Sequence, residues 1–127
     1  MRIVQLGSAR AKGEGLRIGT VRHPPRGVPK SQHASQNWYD VWLPELAPSA
    51  GAIKLGRTAS TPREWERFAK RYRAEMAAPA AVRLLELLVA LSHEASFSVG
   101  CYCADEARCH RSILRSLLEQ HGARVEK

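Results

Sequence analysis

The chain has 127 residues, 44% hydrophobic and 25% charged, which suffices for one domain with its own core and argues against both a second domain and disorder. Twenty Lys and Arg against twelve Asp and Glu leave a formal charge of +8, a field that favours an anionic small molecule or nucleic acid as partner. No apolar run approaches the roughly 20 residues that span a bilayer, and three cysteines are an odd count for a disulfide framework, so a cytoplasmic protein with reduced thiols and no membrane contact is expected.

In chain order, Arg2 to Leu6 and Leu16 to Val21 are short runs rich in Ile, Val and Leu, separated by a loop marked by Gly7, Ser8, Gly13 and Gly15. Both are expected to be strands. From Arg22 to Ser60 no period persists and proline and glycine recur, so residues 22–60 read as a long irregular loop with a short helix near Leu43 to Leu46. Loops of this length are usually functional, and Trp38, Tyr39 and Trp42 require it to wrap the core.

Thr61-Pro62-Arg63-Glu64 is a capping box, in which Thr61 accepts from the amide of Glu64 and proline fills the first helical position. Trp65, Phe68, Ala69, Tyr72 and Met76 then form one apolar stripe. Pro79 separates this helix from the next, where Ala81, Leu84, Leu85, Leu88 and Leu91, widened by Leu87 and Val89, predict a well-buried face. Phe97 to Tyr102 is β-prone, Ile113, Leu114, Leu117 and Leu118 mark a last helix closed by Gly122, and Ala123 to Glu126 is expected to add a short strand. Strands alternating with helices predict an α/β domain, a small, mainly parallel sheet with helices packed on it in a three-layer, Rossmann-like arrangement spanning residues 1–127.

Ligands of such sheets sit beyond the carboxyl ends of the strands, and the strand ending near Tyr102 leads into Cys101-Tyr-Cys-Ala-Asp-Glu-Ala-Arg-Cys-His-Arg111. Cys101 is expected in the core. Cys103 lies in the following loop and need not neighbour it, so Cys103 and Cys109 are the expected pair. Cys109, at a helix N-terminus beside Arg108, His110 and Arg111, has the best reason to ionise. Those cations require a negative partner, either Asp105 and Glu106 or a bound phosphate or carboxylate gripped by Arg111. The spacing departs from zinc knuckles, and a Cys-x-Cys leaving a strand is expected to direct its thiols apart, so no metal and no cofactor is expected. Cys103 and Arg108 are separated by four residues, one short of a thiol phosphatase loop.

The segments Arg22-His-Pro-Pro-Arg-Gly27, Trp42-Leu-Pro-Glu-Leu-Ala-Pro-Ser49 and Phe68-Ala-Lys-Arg-Tyr72 resemble the YeaO-like family, a domain of unknown function, over most of the chain. Cys103-Ala-Asp-Glu with Cys109-His-Arg111 is similar to the motif of a related branch. The resemblance implies a compact α/β fold and a site at which Arg22, Arg26, Gly27, Asp40, Trp42, Cys103, Glu106, Cys109, His110 and Arg111 converge. One departure is Pro24, which stands where the family commonly has a tryptophan.

Together these features favour an enzyme acting on a phosphate-bearing or nucleotide-like anion, a cysteine-dependent hydrolase or transferase. Cys109 or Cys103 would be the nucleophile, His110 or Glu106 the acid or base, and Arg111, Arg26, Arg22 and Arg108 the anion clamp. Two rivals are a non-catalytic nucleic-acid-binding module using Arg63, Arg67, Lys70, Arg71 and Arg73 together with Arg22, Arg26 and Lys30, and a thiol redox sensor based on Cys103 and Cys109.

Overall fold

The computed structural model describes residues 1–126. Four strands, β1 (Arg2–Gln5), β2 (Leu16–Gly19), β3 (Val41–Trp42) and β4 (Phe97–Cys101), form one parallel sheet in the order β1-β4-β2-β3. The last strand in sequence is central in space. All five residues of β4 are buried, as befits a central strand covered on both faces, and its one polar side chain, Ser98, is hydrogen-bonded. Four helices accompany the sheet: α1 (Ala50–Thr58), α2 (Pro62–Glu75), α3 (Pro79–Ser92) and α4 (His110–Gln120).

Register assigns the faces. Ile3, Val99 and Ile18 are paired neighbours and share one face, where Phe68, Tyr72, Leu85, Leu88, Leu114 and Leu118 from the helices complete the core. Each of these leucines, when fully buried, contributes roughly 1.5–3 kcal/mol. Arg2, Ser98 and Arg17 point the other way, as do Gly100 and Gly19. The third layer lies there and is made of irregular chain: Tyr39 packs its ring on Gly19, a position where any Cβ would collide with it, and His33 meets Tyr39 edge-on at 5.1 Å.

Arg17 is fully buried within this layer. Its Nε donates to Glu14 Oε2 at 2.8 Å, its Nη2 to Oε1 at 3.0 Å, and its Nη1 to the carbonyls of Ser8 and Asn37, while Ser98 Oγ donates to the same carboxylate. The Arg17 guanidinium, Ser98 and the Ala11 amide hold the Glu14 carboxyl down at about 2 against burial. A buried pair satisfied at this many atoms clamps the loop between β1 and β2 to the sheet.

The predicted Thr61 cap forms, with the Glu64 amide donating to Thr61 Oγ1 at 3.1 Å, while the Glu64 carboxylate accepts from the Thr61 and Ser60 hydroxyls, each at 3.1 Å, in place of the backbone amide of a full capping box. Gly122 takes a positive φ of 96° after α4, as the C-terminal signal requires. Elsewhere the structure corrects the sequence. The stretch from 22 to 60 contains β3 and α1 as well as the expected short helix, a 3₁₀ helix at Pro44–Leu46. α1 is capped by Ser49, whose oxygen accepts from the Ala52 amide while its own amide donates to Glu75 of α2, so the helix start is fixed by a residue distant in sequence. Residues 123–126 add no strand; the Met1 ammonium donates to the Arg124 carbonyl and the Glu126 amide to that of Met1. On α3, Leu87 and Leu91 are exposed, at 54% and 39%, so the apolar face is narrower than the pattern suggested.

Candidate functional site

The carboxyl ends of β1, β2 and β4 open into a cleft of about 920 Å³. Leu6, Val21 and Cys101 line its floor, arriving one or two residues beyond, or at the end of, their strands. Beyond Cys101 the chain bends at Tyr102, passes Cys103, makes a short 3₁₀ turn at Glu106–Arg108 and enters α4 with Cys109 at its N-cap.

All three thiols converge. Their sulfurs lie within 4.8 Å of one another, and Cys101 Sγ approaches Cys109 Sγ to 2.6 Å. The expected pairing of Cys103 with Cys109 therefore understated the cluster, and the expectation that Cys-x-Cys would point its thiols apart is corrected. In extended chain, residues two apart share a face, and Cys103 follows Cys101 closely enough to keep that sense. Cys109 makes no side-chain cap, which leaves its thiol free to turn towards Cys101.

Cys101 and Cys109 are 1% and 3% exposed, whereas Cys103 is open to the cleft. Contact with the other two sulfurs and burial push the Cys101 thiol far up. At Cys109 the contact with Cys101 pulls down, but Cys103 and burial prevail and the thiol is raised. Cys103 moves the opposite way: hydrogen bonds from Cys101 and Cys109, then His110 and Arg111, favour its thiolate. The cluster thus concentrates its negative charge on the accessible sulfur.

His110 fits between this cluster and β2. Its Nε2 donates to the Thr20 carbonyl at 2.8 Å, which leaves Nδ1 as the acceptor, 3.7 Å from Cys109 Sγ. Burial lowers its pKa, so the ring stays neutral and available as a base. Arg111, 4% exposed, donates from Nη2 to the Cys103 carbonyl, and its Nε finds no partner. Among the described residues no carboxylate pairs with it.

The remaining expected residues divide. Arg22, Arg26 and Arg108 line the cleft; Arg22 also donates to the Ala47 and Pro48 carbonyls, bracing the chain before α1. Gly27, with φ of 76°, turns the chain just past Arg26. Glu106 stands apart from the cleft, joined to Arg115 by two bonds of 2.9 Å, and Arg115 holds its carboxyl below the usual range. Asp40 accepts from Arg10 and from the Arg17 amide on the other face of the sheet. Trp42 is 42% exposed on the edge strand and donates its Nε1 to the Val21 carbonyl at 2.7 Å, bracing the end of β2 from outside.

Other lining residues escape sequence reasoning. Arg57, Ile53 and Gly56 come from α1, Trp65 and Phe68 from α2, and Trp38 with Tyr102 forms an aromatic wall, edge-on at 5.8 Å. These two rings supply aromatic surface in a cleft whose lining also includes Pro24. Among the described residues the lining includes Arg22, Arg26, Arg57, Arg108 and His23 and no carboxylate.

No helix among the described residues is long and apolar enough to cross a membrane. No curated protein and no solved structure matches the chain. The resemblance to the YeaO-like family lies within the broader DUF488 grouping. With its parallel sheet, cysteine cluster and Cys-His-Arg helix start in place, the chain matches the family described as the active DUF488-N3 subclade over residues 1–122, and it belongs to that family.

Proposed function

We propose that this protein is an enzyme acting on a phosphate-bearing or nucleotide-like anion, with Cys103 as the nucleophile. The observation that carries the proposal is the cleft itself: an accessible thiol on a floor surrounded by arginines, with no carboxylate in the described lining. A low-dielectric groove of one sign concentrates anions and strengthens each contact with them. Trp38 and Tyr102 offer flat apolar surface for a base or comparable ring, while Arg22, Arg26 and Arg108 offer planar donors to phosphate.

The reaction would run in two steps. The Cys103 thiolate attacks the electrophilic centre, and the leaving group departs with the bonding pair, its charge facing the arginines. Water or an acceptor hydroxyl then displaces the sulfur, passing its proton to the neutral Nδ1 of His110. Cys101 and Cys109 act as positioning residues, donating to the thiolate in the resting state.

Alkylation of the reduced chain, with ADP, AMP and inorganic phosphate as separate competitors, tests this reading. Cys103 should be modified first and protected at least about tenfold by a saturating nucleotide, and Arg26→Ala should abolish the protection without altering the rate for the free protein. Protection by none of the three anions, or uniform slow modification of all thiols, would overturn it.

A further inference from the structure

We propose that Cys101, Cys103 and Cys109 also form a binding site for a soft divalent cation, Zn²⁺ or its surrogate Co²⁺, and that the occupied state withdraws Cys103 from reaction. Three sulfurs within 4.8 Å of one another surround a point that all can reach. Tetrahedral thiolate coordination at about 2.3 Å requires sulfurs about 3.8 Å apart. The closest pair, Cys101 and Cys109 at 2.6 Å, must open by about 1 Å, which rotation of these two side chains about their Cα–Cβ bonds supplies.

Two further observations favour a cation there. His110 stands beside the trio with its Nε2 donated to the Thr20 carbonyl and its Nδ1 lone pair turned towards Cys109, the orientation by which an outer carbonyl prepares an imidazole to ligate metal. Arg111 is a buried cation whose Nε is unpaired and which has no carboxylate partner among the described residues. Three thiolates with one divalent ion carry a net single negative charge, which this guanidinium balances; a monovalent ion would leave excess charge in a buried position. The site is reachable because Cys103 opens to the cleft. Each thiol still protonated releases its proton to solvent as it ligates, so no oxidant or reductant takes part.

The proposal goes beyond the catalytic one and is tested apart from it. The reduced full chain, freed of metal with a chelator that is then removed, is titrated with Co²⁺. One equivalent should bring up intense near-ultraviolet sulfur-to-cobalt absorption, which one equivalent of Zn²⁺ then bleaches. Zn²⁺ should slow alkylation of Cys103 by more than about 100-fold, and a chelator should restore it. Cys103→Ser, at an exposed position where the fold is retained, should weaken cobalt binding by more than about 100-fold, beyond the loss expected for an outer-shell change. Absence of thiolate-to-cobalt absorption in the wild type, or full absorption and affinity in folded Cys103→Ser, would overturn the metal site. Nucleotide protection measured on the metal-free chain is the separate arm: protection without cobalt absorption rejects only the metal site, and cobalt absorption without protection rejects only the substrate.

Discussion

Two arginines are buried on opposite sides of this sheet, and they are held in different ways. Arg17 is enclosed by a carboxylate and two carbonyls, every nitrogen engaged. Arg111 has one carbonyl, an orphaned Nε and no paired carboxylate among the described residues, and its charge favours the Cys103 thiolate. The first arrangement leaves nothing to bind. The second leaves a positive charge beside a chemically reactive thiolate. A saturated buried pair is architecture, while an undersatisfied one beside nucleophiles marks the working side of the molecule.

Removing each guanidinium sharpens the contrast. Arg17→Met strands the Glu14 carboxylate between Ser98 and the Ala11 amide, and protonating a carboxyl at neutral pH is itself unfavourable. Urea unfolding should show a loss of about 3–5 kcal/mol. Acid supplies a second, smaller measure of the same pair. Because the folded Glu14 carboxyl sits at about 2 rather than 4.5, its contribution is complete above pH 4.5 and disappears as pH falls towards 2. That window accounts for about 3 kcal/mol, and Glu14→Gln should flatten it in stability measured against pH.

Arg111→Met should behave otherwise, because no paired carboxylate is stranded when the guanidinium is gone and one of the cations that favour the Cys103 thiolate is lost. Stability should change by less than about 1.5 kcal/mol, whereas alkylation of Cys103 at pH 6 in the presence of a chelator should fall about tenfold. An equal stability loss at both arginines would erase the distinction. Glu106→Gln completes the series as the smallest change: its pair with Arg115 is a third exposed, so a loss of at most about 1 kcal/mol in urea unfolding is expected, with the Cys103 alkylation rate unaltered. A large drop in that rate would instead restore Glu106 to the chemistry.

The long connection shows why part of the fold was illegible. α1 carries Gly51 and Gly56, poor helix formers that break any pattern. Gly56 is needed because the Phe68 ring of α2 approaches too closely for a Cβ to fit without displacement. Its cap leans on Glu75, so the helix is specified by α2 as much as by its own residues. β3 is two residues long, below the reach of any periodicity. Arg57 reached the cleft on α1, and nothing local marked it, whereas Trp38, expected only to help wrap the core, lines the cleft from the loop before β3.

What the amino-acid order determined by itself is local. The Thr61 cap, the α2 stripe, the glycine after α4 and the strand leading into Cys-x-Cys all depend on neighbours within a few residues, whose geometry is set by backbone sterics and hydrogen bonding. What only the tertiary structure decided is convergence. Cys101 meets Cys109, His110 meets Thr20, and Arg111 is buried without a carboxylate because β4, last in sequence, inserts between β1 and β2. That insertion follows from burying the apolar faces of the helices, and the distances it closes are invisible to any local pattern.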